Sequence, residues 1–305
     1  MTAKPTDAAN LRGIVALLIA QAVFVTSDSV VKLAGAMMPP TEIMAIRGLI
    51  AVMLMGGAVA ATIPAGRWHL VLRPFVALRA TLEAVLAALF LYALPHLPLA
   101  NITVVMQVTP LITTVLSALV LSEAVGWRRW LAVGIGFVGV VLVAQPSTQG
   151  VDIYVVVALI VAALVAVRDL VTRRLDPTIP TAAVSFATTL SVCLLGFAGA
   201  PFQEWVPVST YGVSLLAASA TLVSIANIFI IRAFRGVDVS VVSPFRYAAV
   251  VWAVLLGFMI WGDVPNTLAV AGTLIIIASG LYTMHRETLN MRRRSPAEAV
   301  SDPHG

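Results

Sequence analysis

Four ionisable side chains stand well inside long apolar runs: Arg47, Arg79, Glu83 and Arg246. A charge in such a place costs at least about 2.5–3.5 kcal/mol on insertion scales, so it faces a bundle interior or a wet cavity and marks function. Glu83 follows Arg79 by four residues, which puts both on one helical face and lets them pair. Arg47 and Arg246 have no such local counter-ion. A guanidinium is a planar fork of donors, and two of them in a low-dielectric pocket attract an anion or the carboxylate of a zwitterion. Arg246 lies in Ser243-Pro244-Phe245-Arg246-Tyr247, where proline frees a backbone carbonyl and an aromatic flanks the charge on each side. Arg47 sits nearer the end of its run, and its alternative is to snorkel along its aliphatic stem. Glu83 is the candidate for a coupling proton; its alternative is a structural ion pair with Arg79.

A second set is weaker. Asp28 and Lys32 are another i, i+4 pair, close to the end of the first run, and Asp169 and Arg173 stand in the same way near the end of the sixth. Such pairs at opposite mouths could latch in turn, although pairs near a surface are often worth only about 0–1 kcal/mol. Asn101 and Gln107 in the fourth run, Tyr92 in the third and Asn227 in the eighth are neutral polar candidates, set below the arginines because polar residues also glue helices together.

The elements that must hold these groups are ten apolar runs, at 12–33, 41–63, 74–94, 98–121, 129–145, 152–172, 181–200, 211–232, 239–261 and 267–285. Each approaches the roughly 20 residues a helix needs to cross a bilayer. A chain that is 60% hydrophobic and 11% charged, with a mean hydropathy of +1.00, is a polytopic membrane protein. Lys and Arg flanking short loops stay on the cytoplasmic side. With the N-terminus inside, the basic residues flanking the runs fall on the cytoplasmic face and Lys32 alone on the other, which leaves both termini cytoplasmic. This bias accounts for most of the net charge of +5, so basicity is no sign of nucleic-acid binding. Trp68, Trp127, Trp130, Trp205 and Trp261 lie at run ends, as interfacial anchors do.

The chain also repeats. Asp28, Lys32, Pro39, Ala93 and Glu123 reappear about 140 positions later as Asp169, Arg173, Pro180, Ala233 and Asp263, with five runs per copy. An odd number of crossings turns the second copy upside down, and inverted repeats mark alternating-access carriers. The organisation expected is a cytoplasmic segment 1–11, a first repeat 12–145, an external linker 146–151, a second repeat 152–289 and a disordered cytoplasmic tail 290–305. Pro110 should kink or break the fourth run. Small residues in the fifth (Ala132, Gly136, Gly139) and tenth (Gly272, Gly280) permit close packing, inside the bundle or between the subunits of a homodimer.

Enzyme chemistry has little to build on. Cys193 is the single cysteine, the four histidines include no i, i+4 pair or HExxH, and no phosphate loop or GxSxG elbow occurs. No metal and no cofactor is expected, and a gradient must supply the drive.

Tyr92-Ala93-Leu94, Pro98-Leu99-Ala100, Pro110, Leu121-Ser122-Glu123 and the glycine-punctuated run from Trp130 to Gly139 resemble the closing half of an EamA repeat. Arg232-Ala233-Phe234, Asp238-Val239-Ser240, Ser243 to Tyr247, Gly262-Asp263-Val264-Pro265 and Gly272 to Gly280 resemble that half again. From about Leu11 to His285 the chain resembles a ten-span EamA member of the drug/metabolite transporter superfamily. The resemblance implies an all-α inner (plasma) membrane carrier of two inverted five-helix halves around a central cavity, with a small-molecule substrate. Family members export amino acids and related metabolites, and some relatives take up riboflavin or S-adenosylmethionine. Asp263 departs from the family's usual Glu, at a place that follows the span rather than lining it. The residues and the resemblance together give an exporter of a small zwitterionic or anionic, amino-acid-like metabolite, with Arg246 and Arg47 on its carboxylate. The alternatives are uptake of a larger metabolite whose ring Phe245, Tyr247 and Trp252 would stack, and a non-transporting membrane scaffold, which would have no need of buried arginine.

Overall fold

The computed structural model describes residues 7–62, 73–120, 126–145, 152–176, 178–234 and 239–298. Arg67, Trp68, His69, Glu123, Arg235 and Asp238 lie outside the described residues, as does the side chain of Arg173. The regular structure of the described residues is helical, and ten helical stretches are long and apolar enough to cross a membrane. The helices are α1 (Asp7–Gly35), α2 (Pro40–Thr62), α3 (Pro74–Ala93), α4 (Leu99–Met106), α5 (Thr109–Val120), α6 (Trp127–Ala144), α7 (Ile153–Arg173), α8 (Thr181–Gly199), α9 (Thr210–Phe234), α10 (Val239–Val242), α11 (Ala248–Trp261) and α12 (Thr267–Glu298). In lipid every backbone polar group needs an internal partner, which is why the apolar runs become helices.

Helix ends follow local chemistry. Proline begins α2 and α3, where its missing amide would have no helical acceptor. Asp152 caps α7 by accepting from the Tyr154 amide at 2.9 Å, and Asn266 caps α12 through the Ala269 amide at 2.9 Å. Gly262 ends α11 in the left-handed region at φ 72°, where a Cβ would be strained. The helix α12 continues to Glu298, so the stretch from Asn290 read as disordered starts out helical. A long helix is a ready nucleus, and Met291, Arg292, Arg293 and Arg294 propagate it at small cost.

Two runs are each broken once, and α4 with α5 makes the fourth span. Pro110 has no amide and its ring collides with the carbonyl four residues back, so the ladder cannot pass through it. The break falls at Gln107 and Val108, where Val108 and Leu111 donate three residues back at 3.1 and 2.9 Å. The hydroxyl of Thr109 satisfies the freed Met106 carbonyl at 2.7 Å. The ninth span is α10 and α11 joined by a tight 3-10 turn over Ser243–Tyr247, set by Pro244.

The main packing partners are α1 with α9, α2 with α8, α6 with α12, α3 with α7 and α8, α4 with α7 and α11, α5 with α7, α1 with α11 and α2 with α9. The core at their centre includes Leu94, Leu99, Ile102, Leu111, Leu216 and Ile276. The small-residue stripes of α6 and α12 are used inside the chain. A Cβ at Gly272 would stand 2.5 Å from the Gly139 carbonyl, and the Gln145 and Asn266 amides close the same pair with bonds of 2.8 and 2.7 Å.

Candidate functional site

The two broken spans meet. Gln107, at the break of the fourth, donates from Nε2 to the Arg246 carbonyl in the turn of the ninth at 3.3 Å, in a contact open to solvent. The Arg246 side chain is exposed, and among the described residues it has no ion-pair partner. The neighbouring ring of Tyr247 points the other way, buried against Gly280, where a Cβ would fall on the phenol oxygen. That buried hydroxyl has no hydrogen-bond partner among the described residues. Removing a buried polar group that lacks a partner costs the fold little. Tyr247→Phe is therefore expected to keep or raise the melting temperature in detergent, and a fall of several degrees would show an unseen partner in the resting protein.

A second cluster joins α1, α2 and α9. Ser27 on α1 and Ser219 on α9, both fully buried, share a hydroxyl contact of 2.9 Å, and Arg47 on α2 reaches the Ser27 hydroxyl at 3.5 Å. Asp28 stands within Coulombic range of Arg47, yet the two form no ion pair. Two expectations change here. Arg47 does have a counter-charge, carried by another helix, which spacing along one helix could not reveal. And Asp28 does not pair with Lys32: the Lys32 ammonium donates to the Leu97 carbonyl, lies 4.8 Å over the Trp261 ring and has Asp263 as its charge partner. Lys32 ties the end of α1 to the end of α11.

The third cluster joins α3, α7 and α8. Arg168 binds Glu83 at 2.9 Å and Asp169 at 2.7 Å, while Arg79 turns to Thr172 at 3.0 Å and Thr188 at 2.6 Å. The Arg79–Glu83 pair expected on one helix face is thus opened by α7: Arg79 is within Coulombic range of Glu83, but Arg168 holds the carboxylate. Nearby, Arg73 meets Asp176 at 3.4 Å in the connection to α8. There the Thr178 amide and hydroxyl hold the Asp176 carboxyl below its ordinary range.

The remaining candidates are scattered. Tyr92 belongs to an aromatic group at the far end of α3, where His96 stacks on Tyr154 at 3.8 Å and Tyr92 lies 5.5 Å from Tyr154. Trp252 packs half-buried against the main core. Phe245 and Asn227 are exposed and Asn101 is half-buried, and none of them enters the contacts above. Spacing missed Arg168, Ser27, Ser219 and Glu42. Glu42 is fully buried at the start of α2, and one carboxylate oxygen accepts from the Val206 amide at 3.1 Å.

Residues 11–145 and 152–284 each match the model of the EamA-like transporter family. The chain belongs to that family. The S-adenosylmethionine uptake transporter of Rickettsia prowazekii is 26% identical over 227 residues, covering 74% of this chain and 77% of the relative. The pseudopaline exporter CntI of Pseudomonas aeruginosa is 26% identical over 280 residues, covering 88% and 94%. The crystal structure of another protein aligns with a TM-score of 0.57 at 20% identity, over 94% of this chain and 98% of its own, and shares the fold. This EamA-like protein is a transporter, not an enzyme, and a multi-pass protein of the plasma membrane.

Proposed function

We propose that this EamA-like transporter is a gradient-driven carrier that exports a small zwitterionic or anionic metabolite by alternating access. Two inverted five-span halves rock about a pocket at the junction of the fourth and ninth spans, and both termini are cytoplasmic. The observation that carries this reading is the solvent-open joint between Gln107 and Arg246, where two broken spans bring together loosened backbone and a guanidinium that has no ion-pair partner among the described residues. Irregular backbone at membrane depth persists where it is buried in protein or lines a wet cavity.

The inverted arrangement is supported by packing. Exchanging each span for the one five places along turns α1 with α9 into α7 with α3, turns α2 with α9 into α8 with α3, and returns α2 with α8, α6 with α12 and α4 with α11 to themselves. Orientation rests on Arg12, Arg73, Arg128, Arg129, Arg174, Arg232 and Arg286 flanking one face, against Lys32 at the other. Export is supported by the similarity to the pseudopaline exporter, which extends over 94% of that protein. Uptake of a larger metabolite is the second reading, favoured by the similarity to the S-adenosylmethionine transporter.

Reconstituted protein should exchange labelled L-methionine, S-adenosyl-L-methionine or another amino acid across the bilayer. Arg246→Ala should abolish exchange while melting within a few degrees of the parent, because its side chain is exposed. Ligand-dependent stabilisation without translocation by the parent would favour a scaffold.

A further inference from the structure

The second and third clusters occupy equivalent places in the two halves. At the repeat's spacing Asp28 corresponds to Asp169, Ser27 to Arg168, Arg47 to Thr188 and Ser219 to Arg79. At each of the last three positions a guanidinium in one half stands where the other half has a hydroxyl. The consequence is an unequal pair. In the third cluster two arginines face Glu83 and Asp169, and both carboxylates are gripped by Arg168 at 2.7–2.9 Å. In the second, one acid and one base face each other without joining.

The surroundings of Asp28 leave it few other partners. From α2 it faces Arg47; Glu42, nearer the start of that helix, is held by the Val206 amide. From α9 the facing group is the neutral Ser219, while Tyr211 and Arg232 stand at that helix's ends. Neither α10 nor α11 has a titratable residue, and the turn between them has Arg246, whose side chain is exposed, and Tyr247, whose ring is turned to Gly280. On α1 itself Lys32 is committed to Leu97, Trp261 and Asp263. A carboxylate in a low-dielectric bundle needs a proton or a cation. Arg47, more than 4.0 Å away, is the one cation set against it among the described residues.

We infer that Asp28, rather than Glu83, is the coupling residue: its carboxylate takes either a proton or the ammonium group of a zwitterionic substrate whose carboxylate lies on Arg47. The inference rests on the carrier reading above. Proton and substrate exclude each other at one oxygen pair, so each inward-moving proton displaces one outward-moving substrate, and the proton gradient drives export. Glu83 is unsuited to the task, because Arg168 stays bonded to it and has no reason to leave.

The test uses reconstituted full-length protein, a mixture of 14C-labelled amino acids with S-adenosyl-L-methionine, and pyranine trapped in the vesicles. In the parent, substrate entry should move protons outward, and affinity should fall about tenfold per pH unit once Asp28 protonates, as one-proton competition requires. Asp28→Asn should bind substrate more weakly, with a flat pH profile, and move no protons, while Asp176→Asn, in an exposed connection, behaves as the parent. If Asp28→Asn does not fold, Asp28→Glu replaces it, and the midpoint of its pH profile should move. A merely structural Asp28 would leave that midpoint in place and overturn the inference. So would proton movement that survives in Asp28→Asn but is lost in Glu83→Gln, or affinity that rises on acidification. Parent protein that exchanges none of the probes would instead remove the carrier reading itself.

Discussion

Arg47→Met is expected to abolish transport, with substrate affinity down by about 30-fold to several thousandfold. That range corresponds to the roughly 2–5 kcal/mol lost when one member of a buried charge-assisted contact is truncated. Methionine keeps the length of the side chain and removes the fork. The same change leaves the half-buried Asp28 carboxylate without a facing cation, which destabilises the fold unless the acid takes up a proton. The two consequences separate in the double variant. Asp28→Asn with Arg47→Met should recover the melting temperature of the parent but no transport, since the neutral pair is content in lipid and has nothing to offer a carboxylate. A double variant that transports normally would show that Arg47 only balances Asp28.

Gly196→Val is expected to prevent recovery of monodisperse protein. The α2–α8 crossing brings backbone against backbone: a Cβ at Gly196 would stand 2.4 Å from the Ala45 nitrogen, 2.9 Å from the Ala45 Cα and 2.9 Å from the Met44 carbonyl carbon. One turn away, a Cβ at Gly48 would meet Cys193 Cα at 2.8 Å. Overpacking costs about 1–3 kcal/mol where flexible side chains can yield, and more where, as here, the neighbour is main chain. Without a hydrophobic force between helices in lipid, this close packing is what holds α2 to α8. Size-exclusion chromatography in mild detergent reads the result. A monodisperse valine variant within a few degrees of the parent's melting temperature would mean that the crossing gives way easily.

Much of the helix order was legible in the amino-acid sequence, because a run such as 74–94 has one stable state in a bilayer, and Pro110 forbids an unbroken fourth helix by its own chemistry. Partners across helices were another matter. Asp28 with Lys32 and Arg79 with Glu83 satisfy the i, i+4 rule, yet a long side chain goes wherever a neighbouring helix offers better geometry. For Lys32 that was the Leu97 carbonyl and Trp261, and for Glu83 it was Arg168. Ser27 and Ser219 are 192 residues apart, and nothing in either's local sequence marks it as buried against the other. Gln107 was visible as a polar residue in a span. Its place at the joint came from two prolines that break different spans at heights where the gaps coincide.

The idea on which the rest depends is that the two halves lie upside down relative to one another. In a Cys193→Ala background, single cysteines go at Trp127, the first residue of α6 and 70% exposed, and at Val264, 74% exposed in the connection between α11 and α12. With a membrane-impermeant maleimide on intact cells, Val264→Cys should label at once and Trp127→Cys after permeabilisation alone. Labelling of both from one side would contradict the inverted arrangement and the carrier built on it.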